Sequence, residues 1–237
     1  MKALILNSGF GSRMGVITQE HPKCMTDLND RETILSRQLQ LLCDAGITEV
    51  VITTGYYNTV LEEYCAGLGL PLHYEFVHNP IYDQTNYIYS IYCAKAQLQD
   101  QDIFLLHGDL VFEKSVLQDL LAFPHSCMKV SSTVPLPEKD FKAVICDGKV
   151  QKVGIEFFEN AMEAQAMYKL NSQDWNVWLD EISAFCESNR RKCYAEVALN
   201  EVTDKCIIYP YDVQNRLCAE IDNPEDLAII QTKLALL

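Results

Sequence analysis

The stretch LNSGFGSRMG, residues 6–15, decides how this 237-residue chain is read. The apolar run Met1-Lys2-Ala3-Leu4-Ile5 passes directly into a loop of small residues that contains Gly9, Gly11 and a single charge, Arg13. A buried strand that opens into such a loop presents successive backbone N–H groups, and glycines let an anion come close because they lack Cβ and tolerate positive φ. Arg13 adds a charge that persists at neutral pH. A plain tight turn has the same Gly-x-Gly. The stretch lacks the third glycine of the dinucleotide fingerprint and the Gly-Lys-Ser/Thr ending of the P-loop. A turn and a phosphate cradle of another kind both remain.

Working outward, MKALILN reads as a strand, TILSRQLQLLCDAG as a helix ending at Gly46, and TEVVITTG as a second strand. NTVLEEYCAGLG then has helical spacing, PLHYEFVHN is strand-like, TNYIYSIYCAKAQL is helical, and DIFLLHGD is a buried strand. This β-α-β-α-β-α-β alternation predicts an α/β, Rossmann-like fold with a mostly parallel central sheet and helices on both faces. Ligands of such sheets sit beyond the carboxyl ends of the strands. Past residue 120 the rhythm changes. CMKVSSTVPL, KAVICDG and KVQKVGIEFF read as strands, with Asp147-Gly148 as a hairpin turn. DWNVWLDEISAFCESN and CYAEVALNEVTDKC are helical patterns, IIYPYD is a strand, and NPEDLAIIQTKLALL is a closing helix. The second half is therefore expected to be a mixed β elaboration. With no linker or repeat in the sequence, one domain over 1–237 is expected.

Nineteen Lys+Arg against 33 Asp+Glu give a net charge of −14, which argues against nucleic acid or an anionic membrane as a partner. The basic run Arg190-Arg191-Lys192 reads as a solvated helix end. Ten cysteines without a Cys-x-x-Cys pair argue against zinc, and no run approaches membrane-spanning length. The expectation is a cytoplasmic chain with reduced thiols packed as small core residues. His73, His78 and His107 show no partner pattern and read as structural; Trp175 and Trp178 read as core or as a dimer face.

Ten residues beyond Arg13, His21-Pro22-Lys23-Cys24-Met25 presents one lysine on a proline-fixed turn. Gly-x-Gly-x-Arg followed by Pro-Lys resembles the signature of the nucleotidyltransferases that make NDP-sugars and CDP-alcohols, whose fold is GT-A-like. Gly55-Tyr56, HNPIYDQTNYIYSIY, the strand ending in His-Gly-Asp and the segment AEIDNPEDL follow in that family's order along nearly the whole chain. Asn86-Tyr87-Ile88-Tyr89-Ser90-Ile91-Tyr92 resembles the Asn-x-x-Tyr-Ser-x-Tyr helix of bacterial CTP:phosphocholine cytidylyltransferases. Asn7-Ser8 replaces the two alanines usual before the loop, still small enough to leave the backbone open.

The resemblance implies in-line attack of an acceptor phosphate or phosphonate oxygen on the α-phosphorus of CTP, with pyrophosphate leaving and no protein nucleophile. It assigns Arg13 to the triphosphate and Lys23 to the α-phosphate as catalytic residues, with Asn7, Ser8, Gly9, Gly11, Ser12, Gly55, Tyr56, Thr85, Asn86 and Ser90 around the nucleotide. Mg²⁺ is the implied cofactor, held by Asp109 and Asp222. Asp109 could also serve a turn, and the segment after Asp222 could cap the last helix; Thr85 or Asn86 could likewise be only a cap. Residues 1–115 would then form the nucleotide-binding core, and 116–237 would bind the acceptor and supply the second metal ligand. Alignment on the choline cage leaves Tyr194 as its one aromatic residue, with Lys169 and Ala219 in cage positions. Glu196 and Glu220 suit a primary amine, and Lys142 and Lys169 a phosphate or phosphonate. The expected acceptor is 2-aminoethylphosphonate, as in the 2-aminoethylphosphonate cytidylyltransferases. Phosphocholine or phosphoethanolamine, a sugar 1-phosphate, and a non-catalytic nucleotide-binding subunit are the alternatives. A homodimer or a fusion to another catalytic domain is compatible with the chain.

Overall fold

β1 (Lys2–Asn7) turns Ala3 and Ile5 to one face and Leu4 and Leu6 to the other, so both faces of its sheet must be covered. The computed structural model describes residues 1–9 and 11–236, and of Ser12 the backbone alone. α1 (Ile34–Asp44) starts at a capping box between Thr33 and Ser36 and is followed by β2 (Glu49–Thr54), α2 (Asn58–Gly67) and β3 (His73–His78). The next helical pattern breaks at Ala94 into α3 (Tyr87–Cys93) and α4 (Lys95–Leu98), before β4 (Ile103–His107). A short β5 (Leu110–Phe112) and α5 (Lys114–Ala122) lead to β6 (Cys127–Ser131), β7 (Lys142–Cys146), β8 (Lys149–Gly154) and β9 (Ala161–Leu170). α6 (Ser172–Glu187), α7 (Ala195–Leu199), β10 (Tyr209–Asp212), β11 (Cys218–Glu220) and α8 (Pro224–Leu234) complete the chain.

The main sheet runs β10-β6-β9-β4-β1-β2-β3, with the β7–β8 hairpin attached through β9. β1, β2, β3 and β4 are mutually parallel, β9 is antiparallel to β4 and β6, and β10 is parallel to β6. This is the expected α/β architecture with a mixed, mostly parallel sheet. Leu35, Leu39 and Leu42 of α1, Leu61 of α2 and Val116, Leu117 and Leu120 of α5 cover one face. Ile88 and Ile91 of α3, Trp175, Trp178, Ile182 and Phe185 of α6 and Leu199 of α7 cover the other. Asp147 and Gly148, both at positive φ, close the β7–β8 hairpin as their sequence suggests. Among the described residues no helix is long and apolar enough to cross a membrane.

β9, AMEAQAMYKL, is not predicted by periodicity. Its alanines, methionines, glutamate, glutamine and lysine are all good helix formers. It becomes a strand because it fills the gap between β4 and β6, where ladder partners on both edges and cover on both faces outweigh propensity.

Trp175 and Trp178 are fully buried in the core, and the Trp178 indole N–H donates to the Ala195 carbonyl at 2.9 Å. Trp178→Ala is expected to destabilise the fold by about 3–5 kcal/mol in chemical denaturation, the range for removing a buried aromatic.

Candidate active site

Because β1 to β4 are parallel, Asn7, Thr54, His78 and His107 end on one rim of the sheet, and β1 is the strand at which the order reverses. The loop after β1 folds back on that rim. Gly11 is left-handed at φ +64, and a Cβ there would come 2.9 Å from Lys23 Cβ, so the glycine is what lets the lysine turn pack under the loop. Gly55 serves the same end at β2, since a Cβ on it would collide with the Ser8 carbonyl oxygen. Tyr57 ties the far end of the loop, its hydroxyl donating to the Thr18 and Gln19 carbonyls at 3.0 and 2.8 Å.

The four charges named from sequence meet here. Lys23 Nζ contacts both carboxylates, pairing with Asp109 and donating to Asp222 Oδ1 at 2.9 Å, while Arg13 donates to Asp222 Oδ2 at 2.7 Å. Pairing of β5 with β11 explains the meeting. Asp109 precedes β5, Asp222 lies just beyond β11, and the two strands run antiparallel with Leu110 opposite Glu220. Met14, Val111, Leu217, Ile221 and Ile230 form an apolar plug that anchors the loop, both strands and α8 together. Gln38 fixes the turn from the side, donating to the His107 and Leu110 carbonyls at 3.0 and 2.8 Å. The helix cap beyond Asp222 is Asn223, which accepts the N–H groups of Glu225 and Asp226 and leaves the Asp222 carboxylate to the cations.

Side-chain exposure is 15% for Lys23, 17% for Asp109 and Asp222, and 70% for Arg13. Burial alone would lower the Lys23 pKa, but Asp109 and Asp222 outweigh it and raise it. Burial would likewise raise Asp109, but Lys23 and then His107 hold it below the usual carboxylate range. Asp109 Oδ1 is buried with no hydrogen-bond partner among the described residues. Two sets of groups, His107-Asp109-Glu220 and Asp140-Glu220-Asp222, bring ligand atoms within 4.8 Å of one another.

Two cavities flank this cluster on the side of the first loop. Asn7, Gly9, Gly11, Arg13 and Lys23 line one; Ser8, Asn79, Thr85, Asn86 and Ser90 line the other. Ser8 Oγ and Asn7 Nδ2 are buried and without hydrogen-bond partners among the described residues. Asn86 Oδ1 accepts from the Tyr87 N–H at 2.7 Å and so caps α3, leaving its Nδ2 to offer a ligand. Asn79, unremarked in sequence apart from its proline neighbour, organises the wall: its Nδ2 donates to Thr85 Oγ1 and Ser90 Oγ, each at 3.0 Å. The Ser12 side chain lies outside the described residues. Tyr56 is exposed and lines neither cavity, because β2 ends at Thr54 and the turn carries the ring edge-on to Tyr57 instead.

A third cavity opens on the opposite side of Asp109 and Asp222, lined by Arg13, Lys139, Asp140, Phe141, Ile155, Tyr194 and Glu220, with Tyr87 and His107. The expectation of a single aromatic residue is corrected. Tyr194 packs 5.1 Å from Phe141 and 5.8 Å from Tyr87, two rings supplied from β6–β7 and α3 rather than from the aligned cage positions. His107, expected to be structural, lines the cavities on both sides of the cluster. Its Nδ1 lies 3.0 Å from Glu220 Oε1, and although burial opposes its charge, the Glu220 carboxylate leads in raising its pKa to about 9. Burial, aided by Asp109 and opposed by His107, moves Glu220 upward.

Three acceptor residues named from sequence are placed elsewhere. Lys169 sits near the end of β9, opposite Phe104 near the start of β4, and donates to the Phe123 and His125 carbonyls at 2.6 and 3.2 Å, away from the rim. Lys142 is buried and donates to the Pro137 and Asp140 carbonyls at 2.6 and 3.1 Å. Glu196 lies beneath the cavity floor, hydrogen-bonded by the Tyr87 and Tyr168 hydroxyls, and burial raises its pKa. Lys139, passed over in the sequence, is the lysine that lines the cavity.

The profile of the MobA-like NTP transferase domain matches residues 3–134, the stretch that carries the loop, Lys23 and Asp109. The chain belongs to this family. A CTP:phosphoglutamine cytidylyltransferase of Campylobacter jejuni is 32% identical over 126 residues, 51% of this chain and 48% of that one. A CMP-5'-(3-aminopropyl)phosphonate synthase of Streptomyces rubellomurinus is 37% identical over 134 residues, 56% of this chain and 21% of that one. The chain thus spans about half or less of these two relatives. A choline-phosphate cytidylyltransferase of Haemophilus influenzae is 26% identical over 99% of this chain and 97% of that one. The solved CTP:phosphocholine cytidylyltransferase of Streptococcus pneumoniae shares the fold, with a TM-score of 0.77 at 18% identity over 98% of both chains.

In this NTP transferase domain, Gly11→Ala is expected to cost about 1–2 kcal/mol from left-handed strain and to weaken binding of a nucleoside triphosphate at least tenfold by displacing Lys23. Gly69→Ala is the control, because Gly69 has a similar φ of +63 with nothing within 4 Å. It should show the stability loss in denaturation without the affinity loss in calorimetry.

Proposed function

We propose that this chain is a Mg²⁺-dependent cytidylyltransferase that moves CMP from CTP to a small phosphonate or phosphate acceptor, preferring 2-aminoethylphosphonate. The observation that carries the reading is Lys23 held between Asp109 and Asp222, with Arg13 on Asp222, where the nucleotide cavities meet the third cavity. The two substrates would approach from opposite sides of that cluster. An acceptor oxygen forms the new bond to the α-phosphorus as the bond to pyrophosphate breaks. Repulsion between anions is the chief obstacle, and Lys23 and Arg13 are placed to offset it, Lys23 at the α-phosphate and Arg13 at the departing pyrophosphate.

Asp109 and Asp222 offer hard carboxylate oxygens, and the unpartnered Asp109 Oδ1 is an atom that a divalent cation would satisfy. Bound there, Mg²⁺ would neutralise phosphate charge. Ser8 Oγ, Asn7 Nδ2 and Asn86 Nδ2 would take the nucleotide, with Ser90 and Thr85 held by Asn79 against the base. In the third cavity Asp140 and Glu220 suit a primary ammonium, which can donate hydrogen bonds to both, and Lys139 suits the phosphonate. Relatives that bear the names of an aminopropylphosphonate synthase and a phosphoglutamine cytidylyltransferase support this class of acceptor. One unit over 1–237 would perform the reaction. Phosphocholine is the second reading, favoured by the three rings Tyr87, Phe141 and Tyr194, which suit a quaternary ammonium.

Pyrophosphate release measured with each of four NTPs against 2-aminoethylphosphonate, phosphocholine, phosphoethanolamine and glucose 1-phosphate tests the proposal. CTP with 2-aminoethylphosphonate is expected to give the highest kcat/KM, to stop on chelation and to return with Mg²⁺. Asp109→Asn and Asp222→Asn should each lower kcat roughly 10²–10³-fold, as for loss of one preorganised charge-stabilising group. Turnover of phosphocholine but not of 2-aminoethylphosphonate would transfer the assignment to the second reading. CTP binding without pyrophosphate release from any acceptor would leave a nucleotide-binding subunit.

A further inference from the structure

Lys142 begins β7 with its side chain fully buried, yet its ammonium meets no carboxylate within ion-pair distance among the described residues. It donates instead to the Pro137 carbonyl at 2.6 Å and the Asp140 carbonyl at 3.1 Å, and lies 4.2 Å from the centre of the Phe158 ring. The two carbonyls belong to the 132–141 connection between β6 and β7, and Phe158 belongs to the 155–160 connection between β8 and β9. Those connections supply Lys139, Asp140, Phe141 and Ile155 to the third cavity. Ahead of Lys142 the Phe141 carbonyl still accepts from the Ala164 N–H at 3.1 Å, and Ser131 and Asp212 hold the far end of the connection at Ser132, Thr133 and Val134, but no ladder pairing holds residues 135–140 among the described residues. A buried ammonium left without acceptors costs several kcal/mol, and this one finds them only if Pro137 and Asp140 stay where they are.

We propose that Lys142 is a positioning residue for acceptor binding: it staples the 132–141 and 155–160 connections so that Asp140 and Lys139 face the acceptor, without touching the acceptor itself. The inference rests on the reading of the third cavity as the acceptor site. The staple orders the acceptor side alone, because among the described residues none from 132–160 lines the nucleotide cavities, which are built from β1 and its loop, the Lys23 turn, the 79–90 segment, the end of β4 and Asp222.

The test compares wild type, Lys142→Met, Lys142→Arg and Phe158→Ala by two readouts. In steady-state kinetics with 2-aminoethylphosphonate, or whichever acceptor turns over, Lys142→Met is expected to raise the acceptor KM at least tenfold, with the CTP KM within twofold. Lys142→Arg, which keeps donors, should recover most of the loss, and Phe158→Ala should raise the acceptor KM two- to threefold. The second readout needs no turnover. Trypsin should cut after the exposed Lys139 at least tenfold faster in Lys142→Met and several-fold faster in Phe158→Ala. If Lys142→Met does not fold, Phe158→Ala decides by the same two measurements, since Phe158 is 53% exposed and its loss leaves the core intact. An acceptor KM and a Lys139 cutting rate unchanged from wild type would overturn the staple. If no acceptor turns over, the cytidylyltransferase reading fails, and the cutting rate still judges the staple alone. Equal rises in the CTP and acceptor KM would also overturn it, because they would mark a general loss of structure.

Discussion

A lysine held by two carboxylates from distant parts of the chain is the interaction on which the rest of this site depends. Lys23, Asp109 and Asp222 are each mostly removed from water, and a buried charge is tolerated only when its partners are in place. The constraint propagates outward. Lys23 can reach the aspartates only because Gly11 lets the first loop lie over its turn, and the aspartates adjoin only because β5 and β11 pair. The apolar plug under them joins Met14 of the loop, Val111 of β5, Leu217 and Ile221 on the two flanks of β11 and Ile230 of α8, so the polar cluster and its foundation assemble together.

The cluster also separates two kinds of cavity lining. On one side lie backbone, small polar side chains and Asn79, arranged for a ligand held by hydrogen bonds. On the other lie three aromatic rings, acids and a lysine. His107 is common to both sides, and its pairing with Glu220 joins the end of β4 to β11. Glu196 contributes from below: with both oxygens taken by tyrosine hydroxyls, it sets where the Tyr87 ring stands rather than meeting a ligand.

The first half of the chain was legible because its elements are local. Each strand there is a short apolar run and each helix an amphipathic repeat, so pattern and fold agree from β1 to β4. The second half was legible only in part. β9 has the composition of a helix and becomes a strand through its neighbours, and β5 and β11 are three residues each, too short for any periodicity. Charge signs were readable, but the destinations of charges were not: Lys142 and Lys169 end on carbonyls, while Lys139 reaches the cavity. Nothing in one dimension separates these lysines, since the difference lies in which backbone oxygens each finds nearby.

Residue types within short windows were enough for the α/β class, the glycine loop with Arg13 and the proline-fixed Lys23, whereas the two aspartates were singled out by the resemblance to the nucleotidyltransferases. The tertiary structure alone decided that these four charges meet in one cluster, that Tyr87 and Phe141 join Tyr194, and that His107 pairs with Glu220. The physical reason is that strand pairing and burial act between residues far apart in the chain, and side-chain partners are chosen only once that pairing is complete.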